Sequence, residues 1–300
     1  LGFYQADYFE GPFRRDDLAA ITLQALATDK KGGETYLLKS LIDTGAVDAT
    51  KAKNLTEKIE NYRALTRATD AVDSVSQDTN SLTQARGTVQ YAGDTMDVSF
   101  DSSTREKIVL RNGKVQLSSE TKITQNGETT ESGTWIKDGW LYLYTKDGGV
   151  TAKNKVAVDD SMTDADLAEV ESNQVDKVGL SAIKSISVVK DGLTSYYSVD
   201  VDASAAAFLS GILENYVDED DKDLTSIEVS DIKVTYTVNG QGVLGAMTTS
   251  FRLKIVYASG EFQGDPMVMD MKYTVATNIL ATGNAVSITF PDFSDYVILN

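Results

Sequence analysis

The chain contains neither cysteine nor histidine in its 300 residues. Without cysteine there are no disulfides, thiolate zinc sites or cysteine nucleophiles. Without histidine the usual general base, the Ser-His-Asp triad and most transition-metal sites are gone as well. The expectation is a protein that is not an enzyme and carries no cofactor or metal. Basic residues are also scarce, with 28 Lys and Arg against 45 Asp and Glu and a net charge of −17. That sign repels phosphate backbones and anionic bilayer surfaces, so nucleic acid and electrostatic membrane docking are not expected. No apolar run of about 18 residues occurs, and no charged segment leads into an apolar signal core. The chain opens at Leu1. A mature or trimmed segment, its targeting sequence and any lipid-bearing cysteine removed, is the expectation.

What is present points to β-structure. Hydrophobic residues make up 41%, enough for a real core, and 14 Tyr stand against 2 Trp. Turn dipeptides recur at Asn112-Gly113, Asn126-Gly127, Asp138-Gly139, Asp147-Gly148, Asp191-Gly192, Asn239-Gly240 and Thr282-Gly283. Asn-Gly and Asp-Gly supply the positive φ angles that tight hairpins need. Between them the sequence alternates. Ile232, Val234, Tyr236 and Val238 form one such row, Phe251, Leu253, Ile255 and Tyr257 a second, and Met267, Met269, Met271, Tyr273 and Val275 a third. Val286, Ile288 and Phe290 read as a short closing strand before Pro291. Alternation of this kind means one buried and one wet face, hence an antiparallel meander from about residue 85 onward.

Helical periodicity is confined to fewer places. Leu18, Ile21, Ala25 and Leu26 make one stripe, Leu37, Leu38, Leu41 and Ile42 a second, and Leu55, Ile59, Tyr62, Leu65 and Val72 a third, capped by Asp48 or Thr50. Residues 73–84 are polar and aperiodic and read as a linker. Two units follow: a helical N-terminal segment, 1–84, and a β domain, 85–300. Thr163 and Asp166 open a further helix in a capping-box pattern. Residues 203–217 form the clearest helix, with Ala205, Phe208, Leu209, Ile212, Leu213 and Tyr216 on one apolar stripe built to lie on a sheet. Residues 1–14, rich in aromatics, read as an arm packed on the body or a partner-binding tail.

Chemical motifs are few. Ser181-Ala-Ile-Lys184 matches S-x-x-K, but the companion S-D-N and K-T-G motifs are absent, so the match is read as coincidental. The acidic run 218–223 lacks the glycine and the terminal glutamate of an EF-hand loop and reads as a solvated loop, with a calcium site as the other reading. The three methionines on one strand face suit either ordinary core filling or the wall of a pocket for a lipid-like ligand.

Three segments carry a family likeness: Trp135-Ile-Lys-Asp-Gly-Trp-Leu-Tyr-Leu-Tyr144 with Lys153 and Lys155, Tyr196-Tyr-Ser-Val-Asp-Val-Asp202, and Ala285-Val-Ser-Ile-Thr-Phe-Pro-Asp292 with Tyr296. In strand order and turn placement residues 85–300 resemble the LolA/LppX-like bacterial lipoprotein superfamily. The resemblance implies an α+β fold: a large curved antiparallel sheet, an incomplete barrel, with helices covering the concave face, plus the helical N-terminal segment. It implies an extracytoplasmic, cell-surface lipoprotein held to the membrane only by an N-terminal lipid anchor. It also implies a hydrophobic, lipid-like ligand between sheet and helices. The candidate ligand-binding residues are Met267, Met269, Met271, Phe251, Leu253 and Ile255 on strands and Phe208, Leu209 and Ile212 on the covering helix. The alternative is a cell-surface structural or protein-interaction module with a filled core and no small ligand, whose wet sheet face or aromatic arm meets a protein or glycan.

Overall fold

The computed structural model describes residues 15–31, 35–72, 76–111, 113–158, 178–202, 224–257 and 266–299. Three helices come first: α1 (Arg15–Ala27), α2 (Leu37–Asp43) and α3 (Ala49–Asp70). Six strands follow: β1 (Gln77–Tyr91), β2 (Asp94–Arg111), β3 (Lys114–Gln125), β4 (Glu128–Lys137), β5 (Trp140–Asp147) and β6 (Val150–Ala157). Five more form a second run: β7 (Ile183–Asp191), β8 (Thr194–Val201), β9 (Leu224–Val238), β10 (Leu244–Tyr257) and β11 (Met267–Thr282). The short β12 (Val297–Ile298) ends the chain.

All twelve strands belong to one open sheet, in the order β12-β6-β5-β4-β3-β2-β1-β11-β10-β9-β8-β7. It is two meanders joined by a single antiparallel seam between β1 and β11. Among the described residues only the β12–β6 pairing is parallel. Hairpin chemistry explains most of the corners: Asn126 and Asp138, at φ 51° and 52°, each precede a positive-φ glycine. The β1–β2 corner uses Ala92-Gly93, with φ 50° and 83°, a pair without the polar side chain that usually marks such a turn.

Directly opposed residues share a face, so the registers assign every strand residue to one of two faces. The first face, at the β7–β11 end, carries Val199, Val234, Phe251, Leu253, Ile255, Met271 and Tyr273, all buried. Leu65 and Ala68 of α3, and Val72 just beyond its C-terminus, pack into this cluster. Asp48 caps α3, accepting hydrogen bonds from the backbone N–H of Thr50 (2.8 Å) and Lys51 (3.1 Å). The other side of α3 builds a second cluster, with Tyr36, Leu38, Ala52, Ile59 and Leu180 buried together. Lys58 Nζ donates to the Ile183 carbonyl, tying α3 to the start of β7.

The second face is covered at the opposite end, over β2–β6, by the extended C-terminal segment. Val286 and Tyr296 are buried there. Lys107 and Arg111 on β2 donate to the carbonyls of Ser287 (3.2 Å) and Val286 (3.4 Å). The Leu299 N–H donates to the Lys155 carbonyl at 2.9 Å.

The expected broad class, a large antiparallel sheet with covering helices, is what forms. The covers lie on opposite faces at opposite ends. Residues 77–84 are strand rather than linker. Residues 286–290 form no strand; their alternation reflects an extended strap laid on a sheet without ladder bonds. Thr282-Gly283 ends β11 in a 3₁₀ turn instead of turning a hairpin, and Leu18 lies exposed rather than in a core stripe. Leu180–Ala182 make a short 3₁₀ turn before β7. The expected helices at 163–177 and 203–217, the acidic run 218–223 and the aromatic arm 1–14 lie outside the described residues.

Candidate functional site

The strap and the second face enclose an aromatic cluster. Trp135 on β4 is directly opposed to Tyr142 on β5, and Gly133 to Tyr144. The strap adds Phe290, Phe293 and Tyr296. Phe293 stacks on Tyr142 with centroids 3.8 Å apart, and Tyr296 meets Tyr142 edge-on at 5.5 Å. Trp135 lies 5.8 Å from Phe293 and 6.5 Å from Tyr296. The tilted and edge-on pairs lie at separations where ring quadrupoles attract, while Phe293 and Tyr142 form a closer, nearly parallel stack. Gly133 makes the arrangement possible: a Cβ there would lie 2.1 Å from Trp135 Cη2 and clash with the indole. Lysines cap the outer rings, with Lys137 Nζ 5.3 Å from Phe290 and Lys155 Nζ 5.3 Å from Trp140.

Beside this cluster the second face opens into a cleft of 530 Å³. Its wall includes Trp135, Tyr144 and Tyr296, and its polar lining includes Asn80, Arg105, Glu120, Lys122, Glu131 and Lys153. The size is that of a small-ligand site, with a lining more polar than such sites usually have. Several of the charges are fixed. Asp78 holds Arg105 at 2.7 Å. Lys153 donates to Asp295 at 2.6 Å, which raises the lysine pKa. Asp292, at the mouth, accepts from the Ser294 N–H and hydroxyl, both at 3.0 Å, and is held below the usual carboxylate range. Burial pushes the Tyr296 phenol up. Glu120 and Lys122, both exposed, have no ion-pair partner among the described residues.

One atom in the wall is out of balance. Trp135 is only 5% exposed, and its Nε1–H finds no acceptor. A buried donor left unsatisfied costs about 1–3 kcal/mol.

The residues expected to bind a ligand lie on the other face. Met267, Met269 and Met271 are opposed to Tyr257, Ile255 and Leu253, and Phe251 to Tyr273, whose ring it stacks on at 5.1 Å. The structure therefore brings these six together. Phe251, Leu253, Ile255 and Met271 are buried in the core, while Met267 and Met269 are half-buried. Phe208, Leu209 and Ile212 lie outside the described residues. Between α3 and this face, a cavity lined by Tyr62, Leu65, Val199 and Tyr236 has a volume of 20 Å³, room for no more than a water molecule. Ser181 and Lys184 are exposed, and Lys184 pairs with Asp202 at 3.7 Å. Among the described residues no cluster of carboxylates is arranged to hold a metal ion.

Sequence reasoning missed the cleft. Its signal was the aromatic content of 135–144 and 290–296, segments far apart in the chain that only the topology joins.

No protein-family model matches the chain, and no curated protein matches it. Among solved structures it is similar to a DUF1329 family protein from Desulfovibrio piger, at 12% identity and a TM-score of 0.22, over 75% of this chain and 95% of the other. It is also similar to the ywiB protein from Bacillus subtilis, at 9% identity and a TM-score of 0.17, over 71% and 98%. Likenesses this loose carry no argument, and the chemistry of the cleft has to stand by itself.

Proposed function

We propose that the chain is a non-enzymatic, extracytoplasmic binding protein whose ligand seat is the cleft on the second face, and that the ligand is a saccharide. One observation supports this most: aromatic rings and charges of both signs line a single 530 Å³ space. A sugar offers C–H faces to aromatic rings and hydroxyls that both donate and accept, so it meets carboxylates and ammonium groups alike. The reading takes the glycan partner from the surface-module alternative and departs from that alternative in giving the chain a ligand seat. The test is an oligosaccharide array followed by titration on tryptophan emission, which Trp135 and Trp140 alone supply. Binding that weakens at least about tenfold in Glu120→Ala/Lys122→Ala supports the seat, since each lost charged hydrogen bond is worth about that much. No bound saccharide, or binding indifferent to that pair, sinks it.

A second reading, the hydrophobic-ligand carrier of the LolA/LppX-like resemblance, keeps one observation in its favour. Met267, Met269, Tyr257 and Ile227 are only half-buried on the first face, an apolar strip of the kind an acyl chain covers. A lipid anchor and a cell-surface location belong to this reading too. Mass spectrometry of an organic extract tests it: a stoichiometric acyl species lost in Met269→Asp supports the carrier, and a clean protein after incubation with bacterial lipids removes it.

A further inference from the structure

The second face carries another concavity, on β1, β11, β10 and β9, with a volume of 570 Å³. Arg86, Lys272 and Arg252 stand in one row, Lys272 directly opposed to Arg86 on one side and to Arg252 on the other. Like charges directly opposed across strands destabilise a sheet. Here three lie side by side in a chain whose net charge is −17. Lys233 joins them from β9.

The two arginines are already engaged. Arg86 grips Asp101 with both contacts at 2.7 Å and donates to the carbonyls of Ala85 and Phe100. Arg252 grips Asp270 at 2.7 and 2.6 Å, which holds that carboxylate below its usual range. Lys272 and Lys233 have no ion-pair partner among the described residues, and both are exposed. Two backbone irregularities shape the concavity. At Gly87 the strands come so close that a Cβ would overlap the Asp270 carbonyl. At Asp231, φ is 55° and the β9–β10 register shifts. Bulges of this kind re-aim side chains beside functional sites.

We propose that this groove takes the carboxylate or phosphate group of an acidic saccharide, with the Lys233 and Lys272 ammonium groups as its donors and the paired arginines as the fixed frame. The proposal rests on the saccharide reading of the cleft for the kind of ligand, and on the charge row for its acidity. The two sites share a face: Asn80 lines the cleft and Arg86 the groove on the same strand, six residues apart, or about 20 Å. A short oligosaccharide spans that distance. A soluble chain fits better than a membrane headgroup, because a bilayer would bring a plane of negative charge against the whole acidic surface, whereas one chain meets only the groove.

The experiment is calorimetric titration of the full chain with an oligogalacturonate, a neutral oligosaccharide of equal length and inorganic phosphate, plus co-sedimentation with vesicles of phosphatidylcholine and phosphatidylglycerol. Wild type is compared with Lys233→Ala/Lys272→Ala and with Glu120→Ala/Lys122→Ala. Oligogalacturonate should bind, more weakly with rising salt, and lose at least about tenfold in the groove variant. The neutral sugar should ignore that variant and respond only to the cleft variant. Phosphate binding that depends on the groove lysines, with no saccharide bound, upholds the anion site and overturns the saccharide reading. Oligogalacturonate binding unchanged in the groove variant overturns the groove. Lysine-dependent capture by vesicles alone overturns the soluble occupant.

Discussion

Phe293 lies flat on Tyr142, ring centroids 3.8 Å apart and planes 12° from parallel. One residue belongs to the C-terminal strap and the other to β5, so this pair does much to hold the strap down. Phe293→Ala removes it and also uncovers Trp135. Phe293 is half-buried, so we expect a loss of about 1–3 kcal/mol if the strap stays in place, and less if it lifts and solvent fills the gap. Urea unfolding gives the magnitude, and a red shift of tryptophan emission at zero denaturant identifies lifting.

Gly133→Ala tests the same cluster from beneath. The added methyl cannot coexist with the indole where it now lies. Overpacking of this kind costs about 1–3 kcal/mol. Near-ultraviolet dichroism should lose the sharp tryptophan bands while the far-ultraviolet signal persists. Unchanged spectra would mean that the ring does not lie over Gly133.

Tyr36 makes a pH prediction. Its hydroxyl donates to Glu60 at 3.2 Å. Burial first, and the Glu60 carboxylate second, push its pKa up to about 12 from 10.0. The folded state holds the proton more tightly than the unfolded one. The resulting stabilisation is therefore complete below pH 10 and is lost as pH rises toward 12, up to about 2–3 kcal/mol at about 1.4 per unit. The difference in unfolding free energy between wild type and Tyr36→Phe, followed from pH 9 upward, should shrink across that window. A difference that stays constant refutes the assignment.

α3 is expected to be part of the sheet's core rather than a separate unit. Leu65, Ala68 and Val72 are 6%, 2% and 2% exposed against strand residues. Leu65→Asp buries an unpaired charge, and we expect it to abolish cooperative unfolding. A chain starting at Gln77 should bind a hydrophobic dye that the full chain ignores. If it unfolds cooperatively without binding dye, the helical segment is dispensable.

The sheet was legible where each corner carries its own chemistry, as at Asn126-Gly127 and Asp138-Gly139. Ala92-Gly93 escaped because alanine gives no polar signal. The stretch Gln77–Gln84 escaped for a deeper reason. Neither of its sides is apolar: Asp78 and Asn80 face the strap and cleft, and Ser81 hydrogen-bonds Thr277 at 3.0 Å on the other side. It is a strand because β2 and β11 supply ladders on both flanks, which no local pattern records. The strap at 286–290 erred the other way, since alternation reports which side chains point inward and not whether a neighbouring strand exists. The methionine row was visible in the sequence; the cleft was not, because it needs Trp135 and Tyr296 in one place.

The β1–β11 seam has a consequence for how the chain is made. Gln90 pairs with Val268 and Gln77 with Thr282, so well over half of the polypeptide must be synthesised before β1 gains its second neighbour. Pairings this distant slow folding. In the interval one edge of β1 is bare, and bare edges recruit other chains. The polar composition that disguises Gln77–Gln84 as a linker is what keeps that waiting edge unattractive to neighbours.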